Sequence, residues 1–201
     1  MAGTRTVLLI LAAAVVLAPI AVGRPAAEPQ VVAIDAGPAD VATGVALGAG
    51  RVLTVAHVLE GGRRPIVVRG RDGVPRAGFV LRADPRLDLA VVSVPGLRAD
   101  RLSLADGGRD VQVLLRRGAG LTAEGATVRR RITARLVDQP GAPLRPTLEL
   151  AADVERGDSG APVVDAAGRL VGVVYASSTA RPGTAYAVRS EGLRRLACDG
   201  C

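Results

Sequence analysis

Leu53-Thr54-Val55-Ala56-His57-Val58 is an apolar, partly β-branched run that carries the chain's only histidine. Val, Thr and Leu in succession favour a half-buried strand. Histidine is the side chain whose ordinary charge change falls near neutral pH. Two other segments hold groups an imidazole can work with. Asp88-Leu89-Ala90-Val91 sets a carboxylate at the head of a second Val-rich run, and Gly157-Asp158-Ser159-Gly160-Ala161-Pro162 sets a hydroxyl between glycines. A serine nucleophile needs an imidazole to take its proton and a carboxylate to orient that imidazole. Any such chemistry in this chain must run through His57.

Working outward, strand-like runs recur at short intervals. The first set is Gly44 to Leu47, Arg51 to Val55, Ile66 to Arg69, Gly78 to Leu81 and Leu89 to Val94. Turn signals such as Gly48-Ala49-Gly50, Asp72-Gly73 and Asp84-Pro85 separate them. The second set is Val111 to Leu115, Ala126 to Leu136, Thr147 to Leu150, Pro162 to Val164, Leu170 to Tyr175 and Ala185 to Val188. Leu97 to Asp110, polar and Gly-containing, reads as a crossover between two β-subdomains, and the stretch 189–197 has the composition of one short helix.

Composition agrees with an all-β chain. Its 201 residues include 25 Gly and 13 Pro but only two Tyr, one Phe and no Trp, so the core must be Val, Leu, Ala and Ile. The formal charge is +7, and every basic residue is Arg. The arginines are dispersed, apart from Arg129-Arg130-Arg131 and a few pairs, with almost no aromatics to stack on bases. This argues against nucleic-acid binding; the absence of Lys reads as the codon bias of a GC-rich genome.

At the N-terminus Arg5 precedes an apolar stretch, Val7 to Val22, with small residues at Ala21 and Gly23. Residues 1–23 read as a signal peptide or an uncleaved membrane anchor, being short for a full span. Either reading places the rest of the chain outside the cytoplasm. Residues 24–40, rich in Pro, Ala and Gly, read as a linker with room for one strand, Val31 to Ile34. The only cysteines, Cys198 and Cys201, lie in the tail 198–201. No βαβ pattern suggests a redox motif and no second ligand pair suggests zinc, so a small terminal disulfide is favoured, with pairing between chains as the alternative.

The order His57, Asp88, Ser159, with the three contexts quoted above, resembles the trypsin-like (chymotrypsin-fold) serine peptidases in their compact bacterial form. The resemblance implies two six-stranded antiparallel β-barrels and a short C-terminal helix, over residues 41–197. The first barrel would be 41–100, the second 110–188 and the helix 189–197. It also implies an endopeptidase working through an acyl-enzyme: Ser159 as nucleophile, His57 as general base, Asp88 as its orienting carboxylate. Asp84 is the rival to Asp88, but a residue before Pro85 is more naturally part of a turn. The backbone N–H groups of Gly157 and Ser159 would form the oxyanion hole. The implied substrate is a protein or peptide, with no metal or organic cofactor, and the implied state a monomer.

For specificity the resemblance points to Asp153 at the base of a pocket walled by Tyr175, Ala176 and Ser177, with Thr184 opposite. An acidic base favours Arg or Lys side chains, whereas Thr184 makes the pocket shallow and suits small apolar ones; both stay open. Departures are informative. Animal members carry a cysteine beside the histidine, where Val58 stands here, and an Ile-Val-Gly-Gly activation sequence that is absent. Asp158 must therefore find another partner, an arginine such as Arg156 or a backbone donor, and no activating cleavage beyond signal removal is expected. Ala161 and Val55 replace the commoner Gly and Ala. A catalytically silent peptide-binding protein on the same fold is the alternative function; an esterase of the α/β-hydrolase type is excluded by the order of the three residues.

Overall fold

The computed structural model describes residues 29–37, 41–60, 65–117, 120–135 and 143–197. The apolar segment 1–23, residues 24–28 and 38–40 of the expected linker, and Cys198 and Cys201 lie outside them. Among the described residues no helix is long and apolar enough to cross a membrane.

Val-rich segments with interior-facing side chains form strands that curl into two closed antiparallel barrels. The first comprises β1 (Val31–Asp35), β2 (Val41–Gly48), β3 (Arg51–Val55), β4 (Ile66–Arg69), β5 (Pro75–Asp84) and β6 (Leu89–Ser93), paired in the order β1-β2-β3-β6-β5-β4. The second comprises β7 (Asp110–Arg117), β8 (Gly120–Ala134), β9 (Arg145–Ala151), β10 (Pro162–Val164), β11 (Leu170–Ser177) and β12 (Thr184–Arg189), in the order β10-β11-β12-β9-β8-β7. Closure leaves neither sheet with a free outer strand. A helix, α1 (Ser190–Ala197), follows.

Three boundaries differ from the sequence reading. β1 lies inside the stretch read as linker, yet it pairs with both β2 and β4 and closes the first barrel, so that barrel starts before residue 41. β5 and β8 are longer than their apolar runs, because each extends as a hairpin arm whose solvent-facing residues leave no apolar signal. The third strand, β3, runs from Arg51 to Val55 as expected, and His57 opens a one-turn 3-10 segment, His57–Leu59.

Each barrel is filled by small branched side chains, as the near absence of aromatics requires. Val32, Ile34, Val45, Val52, Leu53, Val55, Leu89 and Val92 fill the first; Val113, Leu115, Leu148, Leu150, Val163 and Ala185 fill the second. The two interiors are not separate. Leu170, Val173, Tyr175 and Val188 of the second barrel, with Leu193 and Leu196 of α1, are continuous with the first barrel's core. Burying one such Leu or Val contributes about 1.5–3 kcal/mol, so this shared layer fixes how the barrels meet.

Candidate active site

His57 and Asp88 meet where β3 and β6 run side by side, Val55 pairing with Leu89. His57, two residues beyond Val55, and Asp88, one residue before Leu89, are then close enough for their side chains to touch. Asp88 adopts a left-handed backbone conformation, φ 57°, which Asp tolerates better than most residues. That turn aims its carboxylate back at His57. Oδ1 accepts the backbone N–H of His57 at 2.9 Å, and Oδ2 pairs with the ring Nδ1 at 2.8 Å. The backbone carbonyl of Asp88 accepts the Ala56 N–H at 3.1 Å, so the two chain segments are locked together. Asp88 is buried, whereas the His57 side chain is 42% exposed. The hydrogen bond to Asp88 lifts the imidazole above its ordinary 6.5, with burial opposing it. Asp84 makes no such contact; its carboxylate accepts the backbone N–H groups of Arg86 and Leu87, the turn role expected of it.

Ser159 comes from the second barrel and is held to the first by hydrogen bonds. Its carbonyl accepts the Thr43 N–H at 2.8 Å, and the Thr43 hydroxyl donates to the Gly157 carbonyl at 2.9 Å. Thr54, three residues before His57, donates its hydroxyl to the Thr43 carbonyl at 2.7 Å. Gly160 has φ +90°, and a Cβ there would be driven into the Thr43 carbonyl and close on the Thr54 hydroxyl. Only glycine permits that approach. Within the loop the amides of Asp158, Gly160 and Ala161 donate to backbone carbonyls. Those of Gly157 and Ser159 donate to no group among the described residues. Among the same residues, no hydrogen bond joins the Ser159 hydroxyl to the His57 ring.

The buried Asp158 has both an arginine partner, Arg117 of β7, and a backbone donor. Arg117 Nη2 donates to Asp158 Oδ2 at 2.8 Å, and the same oxygen accepts the Glu155 N–H at 2.8 Å. The loop's conformation is therefore held from within the second barrel. Ala161, fully buried, packs into that barrel's core.

The expected pocket residues divide. Tyr175, Ala176 and Ser177 line a cleft of ≈ 690 Å³ with Ile132, Ser178, Ala180 and Tyr186. Asp153 is exposed and does not line it, and Thr184 is buried, with its hydroxyl accepting from Arg129 at 3.1 Å. The charges in the cleft are residues the sequence did not single out. Glu149 is buried between Arg130 (2.5 Å) and Arg181 (3.0 Å), which hold its carboxyl below the ordinary range, and Arg135 stands nearby. Ala176 and Ser177 pair with β12 on one side, with a register shift at Tyr175, while β10 reaches only Val173 on the other.

Residues 42–173 match the trypsin-like peptidase domain. Two curated relatives from Mycobacterium tuberculosis are serine protease MT3772 (strain CDC 1551 / Oshkosh) and serine protease Rv3671c (strain ATCC 25618 / H37Rv). Each is 36% identical over 144 residues, covering 68% of this chain and 36% of its own length. The chain thus spans little more than a third of the curated relatives it matches. The crystal structure of the M. tuberculosis Rv3671c protease in its active form has a TM-score of 0.75 at 30% identity, covering 95% of this chain and 92% of that one. The HtrA-type protease AlgW with a decapeptide has a TM-score of 0.64 at 24% identity, covering 83% and 62%, a likeness of fold alone.

Proposed function

We infer, since this chain belongs to the trypsin-like peptidases, a family of serine-type hydrolases, that it is an endopeptidase cleaving peptide bonds through an acyl-enzyme on Ser159. The observation that carries the mechanism is the Asp88 carboxylate accepting from both the ring and the backbone of His57. With Nδ1 committed to Asp88, the proton-free nitrogen is Nε2, on a ring left partly open to solvent. His57 takes the Ser159 proton at Nε2 as the hydroxyl oxygen attacks the substrate carbonyl. The resulting oxyanion is met by the Gly157 and Ser159 amides, each such donor contributing about 3 kcal/mol to the transition state. His57 then delivers the proton to the departing amine. Water attacks the acyl group by the same steps in reverse.

The peptide adds as a strand along the edge of Tyr175 to Ser177 that β10 leaves unpaired, a recurring mode of peptide recognition. Because Arg117 already neutralises Asp158, the loop needs no inserted N-terminus to shape it. The apolar stretch Val7 to Val22 extends the reading to a peptidase working outside the cytoplasm, secreted or anchored; the proposed state is a monomer. Digestion by external protease in intact spheroplasts tests that placement; full protection would overturn it.

A fluorophosphonate probe tests the chemistry. Wild-type protein is expected to be labelled, and Ser159→Ala to lose labelling and peptide cleavage together. Equal labelling of the two would remove Ser159 as nucleophile. Peptide binding without turnover by the wild type would return the silent binding protein as the better reading.

A further inference from the structure

We propose that Arg145 is a positioning residue for this reaction: a buried cation on the same Asp88 oxygen that holds the imidazole, it limits the charge His57 receives and keeps the ring a working base at lower pH. The proposal rests on His57 acting as the base.

Arg145 opens β9, in the opposite barrel from Asp88, and its side chain is only 3% exposed. Its Nη1 stands 3.4 Å from Asp88 Oδ2, the oxygen that pairs with His57 Nδ1 at 2.8 Å. The contact is one of charge without hydrogen-bond geometry, because Nη1 and Nε have no hydrogen-bond partner among the described residues. Arginines paired with carboxylates frequently close the planar fork in two parallel hydrogen bonds. This one gives the short contact to histidine and stays behind it.

The guanidinium is held where it is from below. Its central carbon lies 4.9 Å from the centre of the Tyr175 ring, in cation–π range. Thr147 donates its hydroxyl to the Arg145 carbonyl at 3.0 Å and stands 3.2 Å from the Tyr175 hydroxyl. A cation so fixed cannot swing away when the imidazole charges.

Four elements present charged or titratable groups to this pair. The Asp88 turn and Glu60, at the end of the 3-10 segment, favour the charged imidazole; Arg145 of β9 opposes it. Tyr175 of β11, its hydroxyl pushed up by burial, stays neutral beneath the arginine. Arg145 is thus the one cation acting on His57 among these groups. Its effect on the base is opposite in sign to that of the carboxylate it touches.

The experiment uses the chain's lone histidine. In full-length Ser159→Ala, the imidazole C–H resonances titrate as one residue, free of overlap. Adding Arg145→Met, which keeps the apolar stem and removes the charge, should raise the His57 midpoint by about one pH unit. Arg145→Lys should recover most of that shift. In the active protein the acid limb of kcat/KM should move upward in step, with the plateau kcat little changed. An unmoved midpoint in Arg145→Met, or an equal rise in Arg145→Lys, would overturn the proposal. If Arg145→Met does not fold, Arg145→Gln must show the same rise or the proposal fails. The titration is read without Ser159, so an unlabelled wild type would sink the peptidase reading alone, whereas a labelled enzyme with an unmoved midpoint sinks only the role of Arg145.

Discussion

Asp88 and Asp158 are both buried carboxylates facing an arginine, and they flank the site from opposite barrels, yet they are wired differently. Asp158 spends one oxygen on Arg117 and the Glu155 amide, each at 2.8 Å. It is a latch, satisfied within its own barrel, and it holds the Ser159 loop in shape. Asp88 gives its hydrogen bonds to His57 and leaves Arg145 at 3.4 Å as an ion without one. Its charge is shared between a fixed cation and a group that gains and loses a proton. A carboxylate fully closed by an arginine has nothing left to orient an imidazole with, so the looser pairing at Asp88 is what allows chemistry there.

The contrast can be broken by substitution. The largest effect is expected at the group Asp88 serves: His57→Gln should lower kcat by about 10⁶-fold, and no second histidine can take over. Adding Ser159→Ala to it should cost little more, because the two act as a unit. A His57→Gln enzyme within a hundredfold of wild type would end the general-base assignment.

Next comes Asp88→Asn, which preserves shape but loses the charge and the preference for the correct tautomer. Here kcat at neutral pH should fall by about 10⁴-fold, and the urea midpoint should fall as well, because the buried Arg145 loses its counter-ion. Asp158→Asn should spare the chemistry. Losing a charge-assisted hydrogen bond costs about 2 kcal/mol, read as a lower urea midpoint, with kcat of the folded protein kept within about tenfold. Arg117 is partly solvated and can rehydrate, which holds the cost to that size. If instead Asp158→Asn removed kcat with no change in stability, the two carboxylates would not differ as described.

The smallest effect is the pH profile of the wild type. The Asp88 hydrogen bond raises His57 above 6.5, so activity should fade as pH falls through a value above that point, where the ring protonates. A rate constant down to pH 5 would contradict a histidine base altogether.

Much of this was legible in the sequence because chemistry leaves short local marks. A glycine-flanked serine, a lone histidine after a β-branched run and an aspartate heading a Val-rich run are each a few residues long. Val-rich runs and turn residues likewise placed eleven strands in order, with the remaining one, Val31 to Ile34, read as lying within the linker. What stayed hidden was long-range partner choice. Thr43 reaches Gly157 from 114 residues away and Arg117 reaches Asp158 from 41. Among so many chemically identical arginines nothing in the local sequence marks Arg117 as the one that pairs with Asp158, whereas the backbone donor expected there is the Glu155 amide. The pocket shows the same limit: Tyr175 to Ser177 were found from their strand, but Glu149 and Arg130 meet only because β8 and β9 pair, and Arg181 reaches them from the connection between β11 and β12.

The sequence by itself determined the two sets of strands, the three segments that carry reactive groups and the use of His57 as the only available imidazole. Those follow from residue type and from periods of a few residues, which chain connectivity preserves. Only the tertiary structure decided which side of Asp88 meets the ring, that Arg145 stands behind it, and that Thr43 and Thr54 seat the Ser159 loop. Such contacts depend on how two closed barrels dock through a shared apolar layer. Burial then makes each pairing matter, because a charge or amide removed from water must be answered by whatever neighbour the packing supplies.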